Sequence, residues 1–255
     1  MPNGRVRAVP ADSTLAVLGR AADAVAEAIA KQKDWLVKGD RDGQYRIDLV
    51  ADEAALGVLL SAGFDVLSEE SGLSTADGKG MLAVVDPIDG STNAARGISY
   101  FATSICVVDE HGPLCALVVN QAQESRYEAT RGKGATRDGR VIKPSKTAAL
   151  SDAVVGISGM PHQRVAWRQF RAFGAAALDL CAVADGRLDG FVEWGRGSLG
   201  VWDYLGGVLI CREAGAHAAE AHGLDLLTTE HADRRSPIAA GTKSLLDQLL
   251  AARAT

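Results

Sequence analysis

Two aspartates flank a proline and an isoleucine in Asp86-Pro87-Ile88-Asp89-Gly90-Ser91-Thr92-Asn93, directly after the apolar run Met81 to Val85. Pro87 fixes its own φ and has no N–H, so the turn between the carboxylates is stiff. It can aim Asp86, Asp89 and the Ile88 carbonyl at one point, and three oxygen donors on one point suit a hard cation. Gly90 tolerates a positive φ and lets a ligand approach the backbone, while Ser91-Thr92-Asn93 read as the opening of a short helix. Exposed N–H groups at Gly90, Ser91 and Thr92, beside a carboxylate-held cation, would seat a phosphate. Asp-Pro alone would mean no more than an acidic strand-to-helix turn. What favours a site is its company: Glu69-Glu70-Ser71 upstream and Trp202-Asp203-Tyr204-Leu205-Gly206-Gly207 downstream.

The elements that must position these groups follow from periodicity. Met81 to Val85 is long enough for one buried strand, which is expected to stop at Asp86. Asp12-Ser13-Thr14 offer N-caps for a packing helix running to about Lys31, with Leu15, Val17, Leu18, Val25 and Ile29 on one face. Lys38 to Tyr45 breaks all periodicity and reads as a mobile loop or hairpin. Val50 to Leu60 is expected to be a helix, and Phe64 to Leu67 a strand that delivers Glu69 and Glu70. Adjacent residues of an extended chain point opposite ways, so one glutamate serves the site and the other the scaffold.

Ser99 to Asp109 and Pro113 to Asn120 read as a hairpin through Glu110-His111-Gly112, and a further turn at Arg137-Asp138-Gly139-Arg140 suggests an antiparallel meander. Lys143-Pro144-Ser145-Lys146 marks a crossing between halves, 1–145 and 146–255. In the second half the pattern predicts a strand at Ala153 to Ile157, a helix at His162 to Ala172, a small-residue helix from Gly174 to Asp185, a strand at Arg187 to Trp194, a helix from Trp202 to Ala214 and a terminal helix from Thr242 to Ala252. Asp203, in the first turn of its helix, would there enjoy the positive end of the dipole.

With 255 residues and 47% hydrophobic content the chain can bury a large core. A net charge of −5 without a cluster of Lys and Arg argues against a nucleic-acid surface. No apolar run reaches membrane-spanning length, and Met1 to Asp12 lacks the hydrophobic centre of a secretion signal, so a cytoplasmic protein is expected. Cys106, Cys115, Cys181 and Cys211 have no C-x-x-C spacing and read as reduced core residues, and the five histidines form no ligand pair. The glycines around Lys133 are not followed by G-K-[S/T], which excludes a nucleotide P-loop.

The string D-P-I-D-G-S-T-N, with Glu69-Glu70 before it and Trp202-Asp203 after it, resembles the signature of the inositol monophosphatase family of magnesium-dependent, lithium-sensitive phosphatases. The resemblance implies a layered α/β fold, an αβαβα sandwich like that of inositol monophosphatase and fructose-1,6-bisphosphatase. It implies two or three Mg²⁺ ions on Glu69, Asp86, the Ile88 carbonyl, Asp89 and Asp203, and hydrolysis of a small phosphomonoester by a metal-activated water. Asp42, Asp48 and Asp52 reproduce the family's acidic spacing, which gives Asp48, with Glu69 and Ser91, the activation of that water; a rival registration gives the role to Asp52. Family members also carry a flexible loop near Lys38 to Tyr45 that closes on the metals.

Substrate contacts implied in the same way are Asp89, Ala175, Glu193 and Asp203. The loop from Gly195 to Val201 is longer than in typical inositol phosphatases, and its Arg196 could meet an anionic or polar group. Histidinol phosphate and 3′-phosphoadenosine 5′-phosphate therefore stand beside an inositol, sugar or cyclitol phosphate as substrates. A non-catalytic metal-binding scaffold with a protein partner is the alternative from another class. Relatives are commonly dimers, so a homodimer is expected.

Overall fold

The structure, a computed structural model, describes residues 11–39, 44–76, 80–195 and 197–254. The leader up to residue 10, Asp42 and Arg196 lie outside the described residues. Alternating and continuous apolar runs build two sheets. The first holds β1 (Asp65–Ser68), β2 (Gly72–Ser74), β3 (Leu82–Asp89), β4 (Ala102–Asp109), β5 (Gly112–Asn120), β6 (Arg126–Thr130), β7 (Gly134–Arg137) and β8 (Arg140–Val141), in the order β2-β1-β3-β4-β5-β6-β7-β8. Only β1 and β3 pair in parallel; the rest is the expected antiparallel meander. The second sheet holds β9 (Val154–Ser158), β10 (Gln169–Arg171), β11 (Gly190–Glu193), β12 (His217–Glu220) and β13 (Pro237–Ala240), in the order β10-β9-β11-β13-β12.

Among the described residues six α-helices fill the layers: α1 (Ala11–Ala30), α2 (Arg46–Ser61), α3 (Ser91–Ala95), α4 (Ala176–Ala184), α5 (Val201–Ala214) and α6 (Lys243–Ala254). Leu18 and Val25 of α1 and Leu59 of α2 bury against Val85, Ile105 and Leu117 on the outer face of the first sheet. Between the sheets, α4 and α5 pack Leu178, Leu180, Tyr204 and Ile210 against Cys106 and Val118 on one side and Phe191 and Ala239 on the other. Leu245 and Leu249 of α6 cover Val155, Val192 and Ile238 outside. Each such side chain contributes about 1.5–3 kcal/mol by leaving water, and the stacking order is the expected αβαβα sandwich. The glycine pair of α5 lets the central layer close up. A Cβ on Gly207 would stand 2.6 Å from Leu180 Cβ, and one on Gly206 3.0 Å from Ser104 Oγ.

Several local expectations are corrected. β3 does not stop at Asp86 but runs on to Asp89, with a register shift against β4 between the two aspartates. A bulge needs no N–H from Pro87, whose carbonyl instead accepts the Thr103 hydroxyl at 2.9 Å. Helix α2 starts at Arg46, a turn before Val50, because Asp48 Oδ2 accepts the Tyr45 N–H at 2.7 Å and caps the helix start. Asp12, Ser13 and Thr14 lie inside α1. No helix spans His162 to Ala172; Gln169–Arg171 instead pairs with β9, and the extended chain brings the Trp167 ring within 6.0 Å of Trp194. All four cysteines are free and buried, and among the described residues no helix is long and apolar enough to cross a membrane.

Candidate active site

Three elements distant in sequence converge. Glu69 stands in the turn after β1, Asp86 within β3, and Asp203 in the first turn of α5; each offers a carboxylate oxygen, and these oxygens lie within 4.8 Å of one another. At an effective dielectric constant of about 20, each fully ionised pair at that range repels by about 3 kcal/mol or more. Three pairs approach about 10 kcal/mol, the size of a whole domain's net stability. Without a counter-charge the centre must therefore hold protons.

The pKa shifts agree. Burial, then Asp203, Glu70 and Asp48, push Glu69 up to about 8, partly offset by a hydrogen bond with Asp86. Burial, then Asp89, push Asp203 up to about 7, against the Gly200 N–H bond to Asp203 Oδ2 at 2.6 Å. Asp86 lies well above the carboxylate range, raised by burial and then by Glu69, Asp89 and Asp203. Its Oδ1 is buried with no hydrogen-bond partner. An orphaned carboxylate oxygen amid two more carboxylates, with no thiol or imidazole in the set, fits a hard divalent cation.

Asp89 joins the centre electrically but is also structural. Its Oδ1 accepts Ala176 N–H at 3.1 Å and its Oδ2 Ala177 N–H at 2.7 Å, so it caps α4. Burial raises its pKa first, with those bonds working against it. Asp203 is likewise both helix cap and cluster member.

Gly90 has φ 87°, and a Cβ there would stand 2.9 Å from the Gly174 carbonyl and 3.2 Å from Ala175 Cβ, so only glycine fits. Ser91 and Thr92 open α3 directly after it, and Asn93 donates to the Tyr100 and Phe173 carbonyls, at 2.8 and 2.7 Å. The Ile88 side chain is buried in the core under α1 and α2.

Of the two candidates on α2, the charge of Asp48 raises both Glu69 and Asp86. Asp52 instead accepts the Ser68 hydroxyl. Glu70 accepts Gln44 Nε2 and is not one of the three carboxylates that converge. Ala175 is buried at the N-cap of α4, beneath Gly90. Glu193 is 0% exposed at the end of β11; its Oε1 accepts Ser198 Oγ at 2.7 Å and its Oε2 is buried without a partner.

Sequence reading missed the loop between β12 and β13, which carries no motif. His231 Nε2 lies 3.1 Å from the Glu69 carbonyl and its ring 4.7 Å from that of Trp202, while Arg234 sits 5.1 Å over the same indole. Arg253 of α6 was missed as well: it donates to the Glu193 carbonyl at 2.9 Å and the Gly195 carbonyl at 2.6 Å.

Fold and acidic centre define the class, an αβαβα phosphatase with the inositol monophosphatase and fructose-1,6-bisphosphatase fold. Within it the chain belongs to the inositol monophosphatase family, whose model matches residues 10–255. It is similar to the "Fructose-1,6-bisphosphatase/inositol-1-monophosphatase" of Methanothermobacter thermautotrophicus, 34% identical over 228 residues that cover 80% of this chain and 81% of that one. It is similar to the "Nus factor SuhB" of Escherichia coli, 31% identical over 203 residues, 73% of this chain and 74% of that one. Among solved structures, the extragenic suppressor protein suhB of Bartonella henselae superposes with a TM-score of 0.80 at 28% identity, covering 94% of this chain and 98% of that one. The chain is thus a phosphatase acting on phosphoric monoesters, in a family that works with divalent metal ions.

Proposed function

We propose that the protein hydrolyses a small phosphomonoester, an inositol monophosphate or a related sugar or cyclitol phosphate, by direct attack of a water on phosphorus. The observation that carries this reading is the unpartnered, buried Asp86 Oδ1 set between Glu69 and Asp203. Glu69, Asp86, the Ile88 carbonyl, Asp89 and Asp203 would hold two or three Mg²⁺. Divalent cations bound there would supply charge neutralisation at the phosphate and a lowered pKa for the attacking water.

The chain's own groups do the rest. Asp48, with Glu69 and Ser91, takes the proton of that water and orients it in line with the leaving oxygen. The N–H groups of Gly90, Ser91 and Thr92 hold the phosphate, against a backbone that Gly90 keeps free of side chain. Asp89, Ala175, Glu193 and Asp203 face the alcohol portion, and Glu193 brings one unsatisfied oxygen to it. The halves 1–145 and 146–255 meet at this centre, the first giving Glu69, Asp86 and Asp89 and the second Asp203.

Phosphate release from a panel of esters in Mg²⁺, repeated in chelator, tests the reading; turnover of at least one sugar or cyclitol phosphate, lost in chelator, is expected. The name of the Escherichia coli relative favours a second reading, a metal-binding scaffold with a protein partner. Metal binding without phosphate release from any ester would select it.

A further inference from the structure

The bulge between Asp86 and Asp89 is held by one hydroxyl. Asp86 pairs with Ser104 of β4 and Asp89 with Ala102, so Pro87 and Ile88 together stand opposite Thr103 alone. Pro87 has no N–H to give, and its carbonyl accepts the Thr103 hydroxyl at 2.9 Å. Thr103 is 0% exposed. Its Oγ1 also accepts Gln121 Nε2 at 2.8 Å, and that nitrogen donates in turn to the Ala22 carbonyl of α1, at 3.3 Å.

The direction of this chain of bonds follows from its end on α1. A backbone carbonyl only accepts, so the end of Gln121 that faces Ala22 is the NH₂. The NH₂ gives its second proton to Thr103, and the single hydroxyl proton is left for Pro87. The backbone of Gln121 is pinned as well, its N–H donating to the Phe101 carbonyl at 3.1 Å.

The two aspartates are anchored unequally. Asp89 is tied to α4 by the Ala176 and Ala177 N–H groups, whereas Asp86 Oδ1 has no partner. The Thr103 bond fixes the peptide plane that joins Pro87 to Ile88, between them, and so the direction in which the chain leaves Asp86. Ala102 and Ile105 lie nearby in β4 and Val119 stands opposite in β5, all apolar. Packing alone would be served by valine, which has the shape of threonine without the donor.

We propose that Thr103, oriented by Gln121, is a positioning residue that keeps Asp86, the Ile88 carbonyl and Asp89 in the arrangement that binds a divalent cation. This rests on the phosphatase reading above.

The test is calorimetric titration of Mg²⁺ into the wild type, Thr103→Val, Thr103→Ser and Gln121→Glu, with turnover of an active ester followed on the same samples. Thr103→Val should bind Mg²⁺ about tenfold more weakly, the loss of one hydrogen bond. Its KM for the ester at saturating Mg²⁺ should stay within about twofold, since no group that meets the substrate is changed. Thr103→Ser loses a core methyl, and with it stability, but keeps the donor; its Mg²⁺ affinity should stay within about twofold of the wild type. Gln121→Glu puts an acceptor where the donor stood and draws the hydroxyl proton away from Pro87. It should weaken Mg²⁺ binding even though an added negative charge by itself favours a cation.

A role in packing alone gives the opposite order, with Thr103→Ser binding Mg²⁺ more weakly than Thr103→Val. That order, or equal affinity in all four proteins, would overturn the inference and leave the phosphatase reading standing. Should Thr103→Val not fold, Gln121→Glu carries the test, and unchanged Mg²⁺ affinity in it would overturn the inference. A wild type that binds no Mg²⁺ would overturn it too, and absence of phosphate release across the wider ester panel would sink the phosphatase reading as well.

Discussion

Asp89 accepts the backbone N–H of Ala177 at 2.7 Å, and that bond ties the end of β3 in the first sheet to the first turn of the helix between the sheets. Together with the Ala176 bond it makes one carboxylate both the cap of α4 and a neighbour of Asp86. Removing charge at Asp89 and at Asp86 should therefore have opposite effects on stability. Asp89→Asn leaves one of the two N–H groups facing an amide NH₂ and should cost about 1–3 kcal/mol. Asp86→Asn removes a buried charge with no partner on Oδ1 and should leave the metal-free protein as stable or more so. Urea unfolding of both variants in chelator at pH 8 checks the contrast.

Gly90→Ala should be worse than an ordinary surface substitution. The backbone is left-handed at φ 87° and the added Cβ meets the Gly174 carbonyl at 2.9 Å, so the segment leading into α4 must move. A loss of about 1–3 kcal/mol is expected, accompanied by loss of phosphate release because the moved segment carries Ala175. Thermal unfolding and turnover, measured on the same preparation, check it.

The metal-free protein should lose stability as pH rises. Glu69 at about 8 and Asp203 at about 7 both stand above ordinary carboxylate values of about 4. Between those limits the folded state binds more protons than the unfolded chain, so the unfolding free energy falls with pH. The penalty is absent below about pH 4 and complete above about pH 8. Saturating Mg²⁺ should flatten the slope, and urea midpoints across that range with and without the ion measure it.

Much of the site was legible because its chemistry is local. Asp86 and Asp89 stand three residues apart in one string, and Glu69 and Asp203 each sit in a short motif. The strand continuing through Pro87 was not legible, since a bulge depends on pairing with β4 and on the Thr103 hydroxyl, neither visible from the local string. The helix expected at His162 to Ala172 failed for a similar reason: Trp167 is drawn to Trp194 by a contact far along the chain. Arg234 lies over an aromatic ring and Arg253 meets two carbonyls, and partners of that kind leave no spacing to read.

Arg253 gives a prediction about the loop after Glu193. It clamps the Glu193 and Gly195 carbonyls and lies 5.8 Å over the Trp194 ring. Arg253→Ala should free the loop that joins Glu193 to Asp203, raising KM several-fold with kcat nearly unchanged, and should cost about 1–2 kcal/mol of stability. Steady-state kinetics that showed kcat falling with KM untouched would place Arg253 outside loop positioning.

In the proposed function, phosphate-ester hydrolysis requires a divalent cation held by Glu69, Asp86 and Asp203. Calorimetric titration of Mg²⁺ into the wild type and Asp86→Asn, with phosphate release followed on the same samples, tests it most directly. Mg²⁺ binding and turnover are expected in the wild type, and loss of both in a folded Asp86→Asn protein. Undiminished Mg²⁺ binding and turnover in Asp86→Asn would contradict it.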